Sequence, residues 1–205
     1  MKIVGITGPS GSGKTAVSHI ARNLGYYVID CDKTAREAAK NATVLDRLEK
    51  AFCGVVKNGK LDRKLLAEKA FSSKERTQTL NDIMLPEICK QIKCEISSAE
   101  EDGVELVLLD APTLFESGLD EICDSIIAVL ADEKTRAERL VERDKLDEKQ
   151  LKSRLSASKP DEFYTGKTEN IIYNNGNFEE YIIAAEKMLK GELLWKKKIN
   201  PREHF

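Results

Sequence analysis

Eight consecutive residues near the N-terminus have the types and spacing needed to bind a phosphate chain. They read Gly8-Pro9-Ser10-Gly11-Ser12-Gly13-Lys14-Thr15 and match the pattern G-x-x-x-x-G-K-[ST]. Glycines let the backbone curl so that successive N–H groups face one concavity, and a following helix adds its positive end. In this pattern the lysine reaches the β- and γ-phosphates and the hydroxyl ligates Mg²⁺. We therefore predict an ATP site with Mg²⁺ on Thr15, formed by Gly8, Gly11, Ser12, Gly13, Lys14, Thr15 and Ala16.

The loop leaves open which group receives the phosphoryl group. Water as the acceptor would make the protein an ATPase or GTPase, whereas a hydroxyl or phosphate would make it a small-molecule kinase. Proteins that read guanine usually carry an N-K-x-D segment after a later strand, and the segment here reads Asn174-Asn175-Gly176. This favours ATP over GTP. A protein kinase is excluded because its signatures lie on a different scaffold.

Four acidic residues lie at or soon after the ends of predicted strands, where ligands bind in open parallel sheets. Asp30 and Asp32 follow the second strand, Asp110 ends the third, and Glu116 comes soon after. In an extended D-x-D segment both aspartates point to the same side. Near a γ-phosphate, a carboxylate either holds Mg²⁺ or accepts the proton of an acceptor hydroxyl. We predict that all four contact substrate and that Asp32 or Asp110 assists Mg²⁺ through water; the alternative is helix capping.

Three arginines recur at helical spacing after the fourth predicted strand. Arg136, Arg139 and Arg143 are three and four residues apart, which places them on one side of a helix. Kinases bring such cations from a lid onto the transferring phosphates, where they offset charge while lid closure excludes water. We predict this role for Arg139 and Arg143 ahead of Arg136; the alternative is a solvated helix paired with its own glutamates. Arg36 and Arg63 are further candidates for binding an anionic acceptor.

The segments that must position these residues predict alternating strands and helices. Two of the strands are near-continuous apolar runs, as in parallel strands covered on both faces. The first two strands, joined by a helix that Gly25 ends, form a βαβ unit with a right-handed crossover. Together the pattern predicts an α/β fold, a doubly wound sheet of about five parallel strands. The predicted strands are 2–7, 26–29, 104–109, 125–130 and 170–173.

A helical excursion over 54–102 separates the second and third strands and shows no strand-like run. In it Asp62 predicts a helix cap, Ser72-x-x-Glu75 predicts a capping box, and Pro86 predicts a kink or break. Two further helical segments are predicted over 34–52 and 133–158, the second with a turn near Leu146-Asp147.

The composition of the 205 residues is that of a globular protein. Apolar residues make up 41% and charged residues 33%, which excludes a disordered tail or a fibrous repeat. A net charge of −2 lacks the global basic character of a nucleic-acid binder, and no apolar run approaches the ~18 residues of a membrane span. Five cysteines without a CxxC pair favour reduced thiols. We expect a cytoplasmic protein without nucleic-acid or membrane partners, whose basic end (Lys196-Lys197-Lys198, Arg202) solvates a helix terminus.

Six segments together resemble the dephospho-coenzyme A kinase family, from residue 3 to about 190. The glycine loop looks like the family's opening, although very many enzymes share it. More specific is Val28-Ile29-Asp30-Cys31-Asp32 with Ala35-Arg36, which is similar to the family's V-I-D-A-D-x-x-A-R segment. The other four are Gly59-Lys60-Leu61-Asp62-Arg63, Leu109-Asp110-Ala111-Pro112-Thr113-Leu114-Phe115-Glu116, Arg139-Leu140-x-x-Arg143-Asp144 and Ile172-x-Asn174-Asn175-Gly176.

The resemblance implies transfer of the ATP γ-phosphoryl group to the ribose 3′-hydroxyl of dephospho-coenzyme A. Asp32 falls where the family places its general base, and Arg143 falls in the lid segment that contacts ATP phosphates, so Asp32, Lys14 and Arg143 are the implied catalytic residues. Pro112 and Leu114 are expected to contact the pantetheine arm. The implied parts of the single domain 1–205 are a core (1–53, 103–132, 165–205), a helical acceptor-binding part (54–102) and a lid (133–164).

The chain departs from the family pattern in its acceptor-binding and lid regions. Leu85 stands where the family usually has His, Ser158 where it usually has Gln, and Thr113 where Leu is common. Two other functions are compatible with the same loop: a kinase for a nucleoside or nucleotide, and an ATP-binding module without turnover. The oligomeric state is left open.

Overall fold

A computed structural model describes residues 1–191 of the protein. The chain packs into two units. We call residues 1–28 with 105–191 the core unit, and residues 29–104 the helical unit. The packing therefore divides the chain after Val28, whereas the predicted acceptor-binding part begins at residue 54. The roles assigned to the three parts remain predictions.

The core unit contains the sheet, whose strand order is β2-β5-β1-β6-β7. The pairs β1–β5, β1–β6 and β6–β7 are all parallel, and β2 begins in this unit. These strands confirm the predicted sheet of five, with bounds that differ by at most two residues. They are β1 (Lys2–Thr7), β2 (Tyr27–Asp30), β5 (Leu106–Asp110), β6 (Ser125–Leu130) and β7 (Asn170–Tyr173).

Helices cover both faces of this sheet. Alternate residues of β6 face opposite sides: Ile127 and Val129 share a buried cluster with the first and last helices, whereas Ala128 and Leu130 pack with Tyr164. This burial on both faces is the reason that β5 and β6 are near-continuous apolar runs, as the sequence predicts. The helices of this unit are α1 (Lys14–Asn23), α6 (Glu133–Asp144), α7 (Glu148–Ser156), α8 (Asp161–Thr165) and α9 (Phe178–Leu189), with a 3₁₀ turn at Leu119–Ile122.

The helical unit has its own buried cluster, which includes Val44, Leu48 and Phe52. Its helices are α2 (Cys31–Ala38), α3 (Ala42–Phe52), α4 (Arg63–Ala70) and α5 (Lys74–Glu101). The expectation that 54–102 holds no strand is wrong, because β3 (Val56–Lys57) and β4 (Lys60–Leu61) form an antiparallel hairpin. Its turn is Asn58-Gly59, both at positive φ, which is the common two-residue hairpin sequence.

Helix α5 runs without interruption through Pro86, so of the predicted kink or break, the break is wrong and the kink stays a prediction. A proline removes the hydrogen bond to the carbonyl four residues earlier, which here is that of Asp82. Arg47 Nη2 donates to this carbonyl oxygen at 3.3 Å instead. The cap of α5 is Ser73, which accepts from Arg76 N, and not Ser72 as predicted. Asp62 caps α4 by accepting from Leu65 N at 3.1 Å, as predicted.

Within the described part of the chain, no helix has the length and apolar character to cross a membrane. The basic segment with Lys196-Lys197-Lys198 and Arg202 lies outside the described residues.

Candidate active site

The glycine loop between β1 and α1 packs so closely against neighbouring residues that two of its positions have no room for a side chain. Gly8 has φ +141°, and a Cβ there would lie 2.1 Å from the carbonyl oxygen of Val129. Gly13 has φ +108°, and a Cβ there would lie 2.3 Å from Asn174 Nδ2. Both values are far below a permitted contact, and both angles disfavour a side chain. The glycines at these two positions are therefore required by the packing around the loop.

Three side chains from outside the loop bind its consecutive carbonyl oxygens. Tyr181 Oη donates to the Gly13 oxygen at 2.7 Å, and Asn174 Nδ2 donates to the Ser12 oxygen at 2.8 Å. Arg139 Nη1 donates to the Gly11 oxygen at 3.4 Å. Arg139 Nη2 also donates to both the backbone and side-chain oxygens of Asn174 at 3.1 Å. We call Arg139, Asn174 and Tyr181 the carbonyl clamp.

The carbonyl clamp determines which way the amide groups of the loop point. In a trans peptide the C=O and the following N–H lie on opposite sides, and the described residues contain no cis peptide bond. Because the oxygens of Ser12 and Gly13 face Asn174 and Tyr181, the N–H groups of Gly13 and Lys14 face the opposite way. Adjacent amides with a common direction at the start of a helix form an anion-binding nest.

Burial keeps the clamp tyrosine in its donating form. Tyr181 is 3% exposed, and burial raises the pKa of its hydroxyl well above the usual value of 10, although Arg139 acts in the opposite direction. The phenol therefore stays protonated through the whole physiological pH range.

The loop lysine and threonine lie at the first turn of α1. Lys14 Nζ donates to the carbonyl oxygens of Gly8 at 2.8 Å and Pro9 at 3.2 Å, which places this cation over the loop. Thr15 is exposed. The helix-start amides, the lysine and an exposed hydroxyl are thus within one turn of each other.

Asp110 at the end of β5 is held by α1. Ser18 Oγ, which is buried, donates to Asp110 Oδ2 at 2.6 Å. Ser18 lies one turn after Lys14 on the same helix. The structure therefore brings the predicted carboxylate of β5 to the helix that carries the loop lysine and threonine.

Comparison with known proteins identifies the family. A family model described as dephospho-CoA kinase matches residues 2–180. The chain belongs to the dephospho-CoA kinase family. It is therefore an ATP-dependent kinase, as the sequence predicts, and ATP is its phosphoryl donor.

Relatives and solved structures match this dephospho-CoA kinase family member over nearly its whole length. A dephospho-CoA kinase from Fusobacterium nucleatum subsp. nucleatum is 36% identical over 191 residues, covering 90% of this chain and 95% of that protein. A crystal structure from Thermus thermophilus is 32% identical with a TM-score of 0.83, covering 94% and 97% of the two chains. A dephospho-CoA kinase from Campylobacter jejuni is 25% identical with a TM-score of 0.69, covering 94% and 100%.

The segment after β5 divides into buried and exposed positions in this family member. The Pro112 carbonyl accepts from Thr7 Oγ1 at 3.3 Å. Leu114 is fully buried, and a Cβ at Gly5 would lie 2.7 Å from its side chain, so we assign Leu114 a packing role. Glu116 is exposed. Of the predicted acceptor contacts here, Pro112 and Glu116 have accessible surface.

The predicted lid arginines behave differently from each other. Arg139 belongs to the carbonyl clamp and contacts the Gly11 carbonyl and Asn174; its contact with ATP phosphates stays a prediction. Arg143, at the end of α6, is exposed and makes two hydrogen bonds of 2.8 Å to Asp144, to which Arg154 also lies close at 3.7 Å. Arg143 lowers the pKa of the Asp144 carboxyl. The pair is bidentate and shared with Arg154, and Arg143 is exposed, so solvent and salt screen it.

The other predicted site residues lie in the helical unit. Asp30 ends β2 and caps α2, accepting from Lys33 N at 2.8 Å; its contact with substrate stays a prediction. Asp32 is in the first turn of α2 and is exposed; the expectation of an extended D-x-D is wrong because the helix begins at Cys31. Arg36 Nη2 lies 4.0 Å from Asp30, and Arg63 Nη2 donates to the Arg36 carbonyl at 3.3 Å.

Three supporting residues were missed as site residues: Asn174 and Tyr181, which bind the loop, and Ser18, which binds Asp110. Asn174 lies in a segment that the sequence already matches to the family, so that resemblance was the available signal. Ser18 and Tyr181 follow only from packing, because a serine one turn into a helix and a tyrosine in the last helix have no local signature.

Proposed function

We propose that this protein transfers the γ-phosphoryl group of ATP to the ribose 3′-hydroxyl of dephospho-CoA, the last step of coenzyme A synthesis. The family match and the similarity to other dephospho-CoA kinases support the acceptor. The observation that carries the donor site is the carbonyl clamp, which turns the N–H groups of Gly13 and Lys14 to one side. The other predicted ATP contacts, from Gly8 to Ala16, belong to the same loop.

Lys14 changes partners when ATP binds. Its ammonium group, which donates to the Gly8 and Pro9 carbonyls in this structure, would donate to the β- and γ-phosphate oxygens. Hydrogen bonds between a cation and phosphate oxygens are charge-assisted and therefore strong. Arg143 similarly leaves Asp144 for the phosphates, where its charge offsets the charge that builds up on the equatorial oxygens.

The residues around the start of α1 fit a magnesium ion. Mg²⁺ prefers oxygen ligands and keeps several waters. The exposed Thr15 hydroxyl would ligate the ion, and Asp110, which Ser18 holds at 2.6 Å, would bind it through water; Asp32 is the other carboxylate we propose for this. When bound, the ion neutralises charge on the β- and γ-phosphates.

Asp32 is our proposed general base. It lies in the first turn of α2 and is exposed, so an acceptor hydroxyl can reach its carboxylate. It would accept the proton of the acceptor hydroxyl as that oxygen attacks phosphorus. Asp30 would act beside it mainly by capping α2 and holding that turn in place.

The acceptor carries an anionic diphosphate, and we propose that Arg36 and Arg63 bind it. Both are exposed, and the hydrogen bond between Arg63 and the Arg36 carbonyl keeps the two cations together. Pro112 and Glu116 of the core unit are the further acceptor contacts that we propose. A cytoplasmic location and the absence of nucleic-acid partners stay predictions.

The test is acceptor-dependent release of ADP from Mg-ATP in a coupled assay. We expect release with dephospho-CoA and formation of coenzyme A, and no release with nucleosides or nucleotides. Asp32→Asn should lower kcat by about 10²–10⁴ while the Kd for ATP stays within about twofold. The matched control is Asp46→Asn, an exposed aspartate on α3 whose partner is Lys50.

Either of two results would contradict the proposal. ATP binding without release of ADP in the presence of dephospho-CoA would mean a different acceptor or a module without turnover. A normal kcat in Asp32→Asn would remove the base assignment and leave the acceptor assignment standing.

A further inference from the structure

One cation of the core unit is buried without an acceptor. Arg136 on α6 is 7% exposed, and its Nε and Nη1 atoms are buried with no hydrogen-bond partner. Over residues 1–191, the other buried side-chain N or O atom in this condition is Ser12 Oγ. Both residues adjoin Gly11, so the unsatisfied polar atoms of the described chain are concentrated at the glycine loop.

The backbone contacts place Arg136 against the loop. A Cβ at Gly11 would lie 2.9 Å from the carbonyl oxygen of Arg136 and 3.1 Å from its Cα and Cβ atoms. One turn later on the same helix, Arg139 donates to the Gly11 carbonyl. Helix α6 therefore lies directly on the loop at these two positions. The long side chain of Arg136 starts from that contact.

An unpaired guanidinium is a costly group to bury. A buried charge is normally paired, because its desolvation is compensated only by an anion and good hydrogen bonds. Arginine cannot lose its proton to avoid this cost. The described residues contain no ion pair of Arg136 within 4.0 Å, whereas Arg143 and Arg154 both have one. A buried cation that stays unpaired beside a phosphate loop calls for an anionic ligand.

The protein itself offers one competing partner, Glu116. Tyr164 is near both charges: burial raises the pKa of its hydroxyl to about 12, with Glu116 adding to the increase and Arg136 opposing it. Glu116 is exposed, however, and no hydrogen bond or ion pair joins it to Arg136. Pairing the two would require burying a second charge. A phosphate chain bound in the loop meets Arg136 without that cost.

We propose that Arg136 is a further nucleotide-binding residue, whose guanidinium donates to phosphate oxygens of the bound ATP. The planar fork of arginine suits two oxygens of one phosphate. Arg136 would then be a phosphate ligand, whereas Arg139 one turn away holds the loop that binds the same phosphates. The inference takes from the proposed function only that the bound nucleotide is ATP, and it does not depend on the identity of the acceptor.

The test measures binding of ATP, ADP, adenosine and tripolyphosphate by isothermal titration calorimetry to the full chain. We expect Arg136→Gln to raise the Kd for ATP and tripolyphosphate by about 10–100-fold, with the Kd for adenosine unchanged within twofold. Arg136→Lys should lose less affinity for ATP and tripolyphosphate, because lysine keeps the positive charge and lacks only the planar guanidinium that can bind two oxygens. Arg22→Gln, at an exposed arginine of α1, is the matched control and should change none of these values.

The melting temperature without nucleotide should change in the opposite direction to the ATP affinity. Without nucleotide, Arg136→Gln should melt at or above the wild-type temperature, because it removes an uncompensated buried charge, and its increase in melting temperature on adding ATP should be smaller. Arg136→Lys serves for the same comparisons if the glutamine variant does not fold.

Three outcomes would overturn the assignment. An ATP Kd within twofold of wild type in Arg136→Gln would make Arg136 structural. Equal losses for ATP and adenosine would mean a general distortion of the site. If Glu116→Gln weakened ATP binding equally and the double variant were no worse than either single one, Glu116 would be the partner. Because wild-type turnover with dephospho-CoA is measured separately, failure of this inference is distinguishable from failure of the proposed function.

Discussion

Replacing Asn174 by alanine tests whether the carbonyl clamp prepares the loop for ATP. The side chain is 4% exposed. It donates to the Ser12 carbonyl at 2.8 Å and accepts from Arg139 at 3.1 Å. Arg139 keeps other acceptors after the change, namely the Gly11 carbonyl and the backbone oxygen of residue 174. The main effect is therefore on the Ser12 carbonyl, which loses its partner in a fully buried residue.

The size of the effect follows from that one unpaired carbonyl. A buried group left without its partner costs about 1–3 kcal/mol. The chain can recover this cost by rotating the peptide between Ser12 and Gly13, which turns the Gly13 N–H out of the nest. ATP binding must then reverse the rotation, so its Kd should rise by about 5–150-fold. If the loop does not rotate, the same cost appears as lower stability, about 2–12 °C in melting temperature.

Calorimetry with ATP and thermal melts of Asn174→Ala separate these results. Asn174→Asp is the second variant: it keeps an oxygen for Arg139 but places a carboxylate against the Ser12 carbonyl, so it should weaken ATP binding at least as much. Asn23→Ala, at an exposed position that ends α1, is the control. An unchanged ATP Kd in both Asn174 variants, with the fold intact, would refute the idea that the clamp orients the loop.

Two further predictions concern side chains near the site. Ser18→Ala removes the 2.6 Å hydrogen bond to Asp110, so kcat should fall by about 10-fold or more and the Mg²⁺ concentration for half-maximal rate should rise; an unchanged Mg²⁺ titration would exclude this positioning role. Burial raises the pKa of Tyr164 from 10 to about 12, so the folded state keeps a proton that the unfolded state loses, and stability should fall between pH 10 and 12. The decrease in the free energy of unfolding between pH 10 and 12 should be shallower in Tyr164→Phe. Urea melts over this pH range would contradict the prediction if both proteins lost stability at the same rate.

The sheet and the loop motif could be predicted from sequence because their signals are local. Strands β5 and β6 are apolar runs of five or six residues, and the glycine loop is one continuous pattern. The Asn58-Gly59 hairpin was equally local, yet its strands have only two residues each, too short to show an alternation. Helix α5 was misjudged at Pro86 because the compensating donor, Arg47, lies on another helix.

The candidate site could be predicted only in part, because its supporting contacts are long-range. The carbonyl clamp joins residues that are 128, 162 and 168 positions apart, and no spacing rule connects them. The sequence places Asp32 just after β2, but its backbone conformation depends on where α2 begins, and its role stays a prediction. The capping preference of Asp30 decides that boundary, and the D-x-D pattern alone does not reveal it.

The pairing of β7 with β6 explains why the orientation of the glycine loop depends on residues near the C-terminal end of the described chain. Parallel pairing places Leu130 beside Tyr173, and the next amide, that of Asn174, donates to the Leu130 carbonyl at 2.8 Å. That bond delivers the Asn174 side chain to Ser12, and the helix that follows, α9, delivers Tyr181 to Gly13. The first fifteen residues therefore hold the phosphate-binding motif, but its amides acquire a common direction only once β7 has paired with β6. We therefore expect ATP affinity to depend on the completed sheet as well as on the motif.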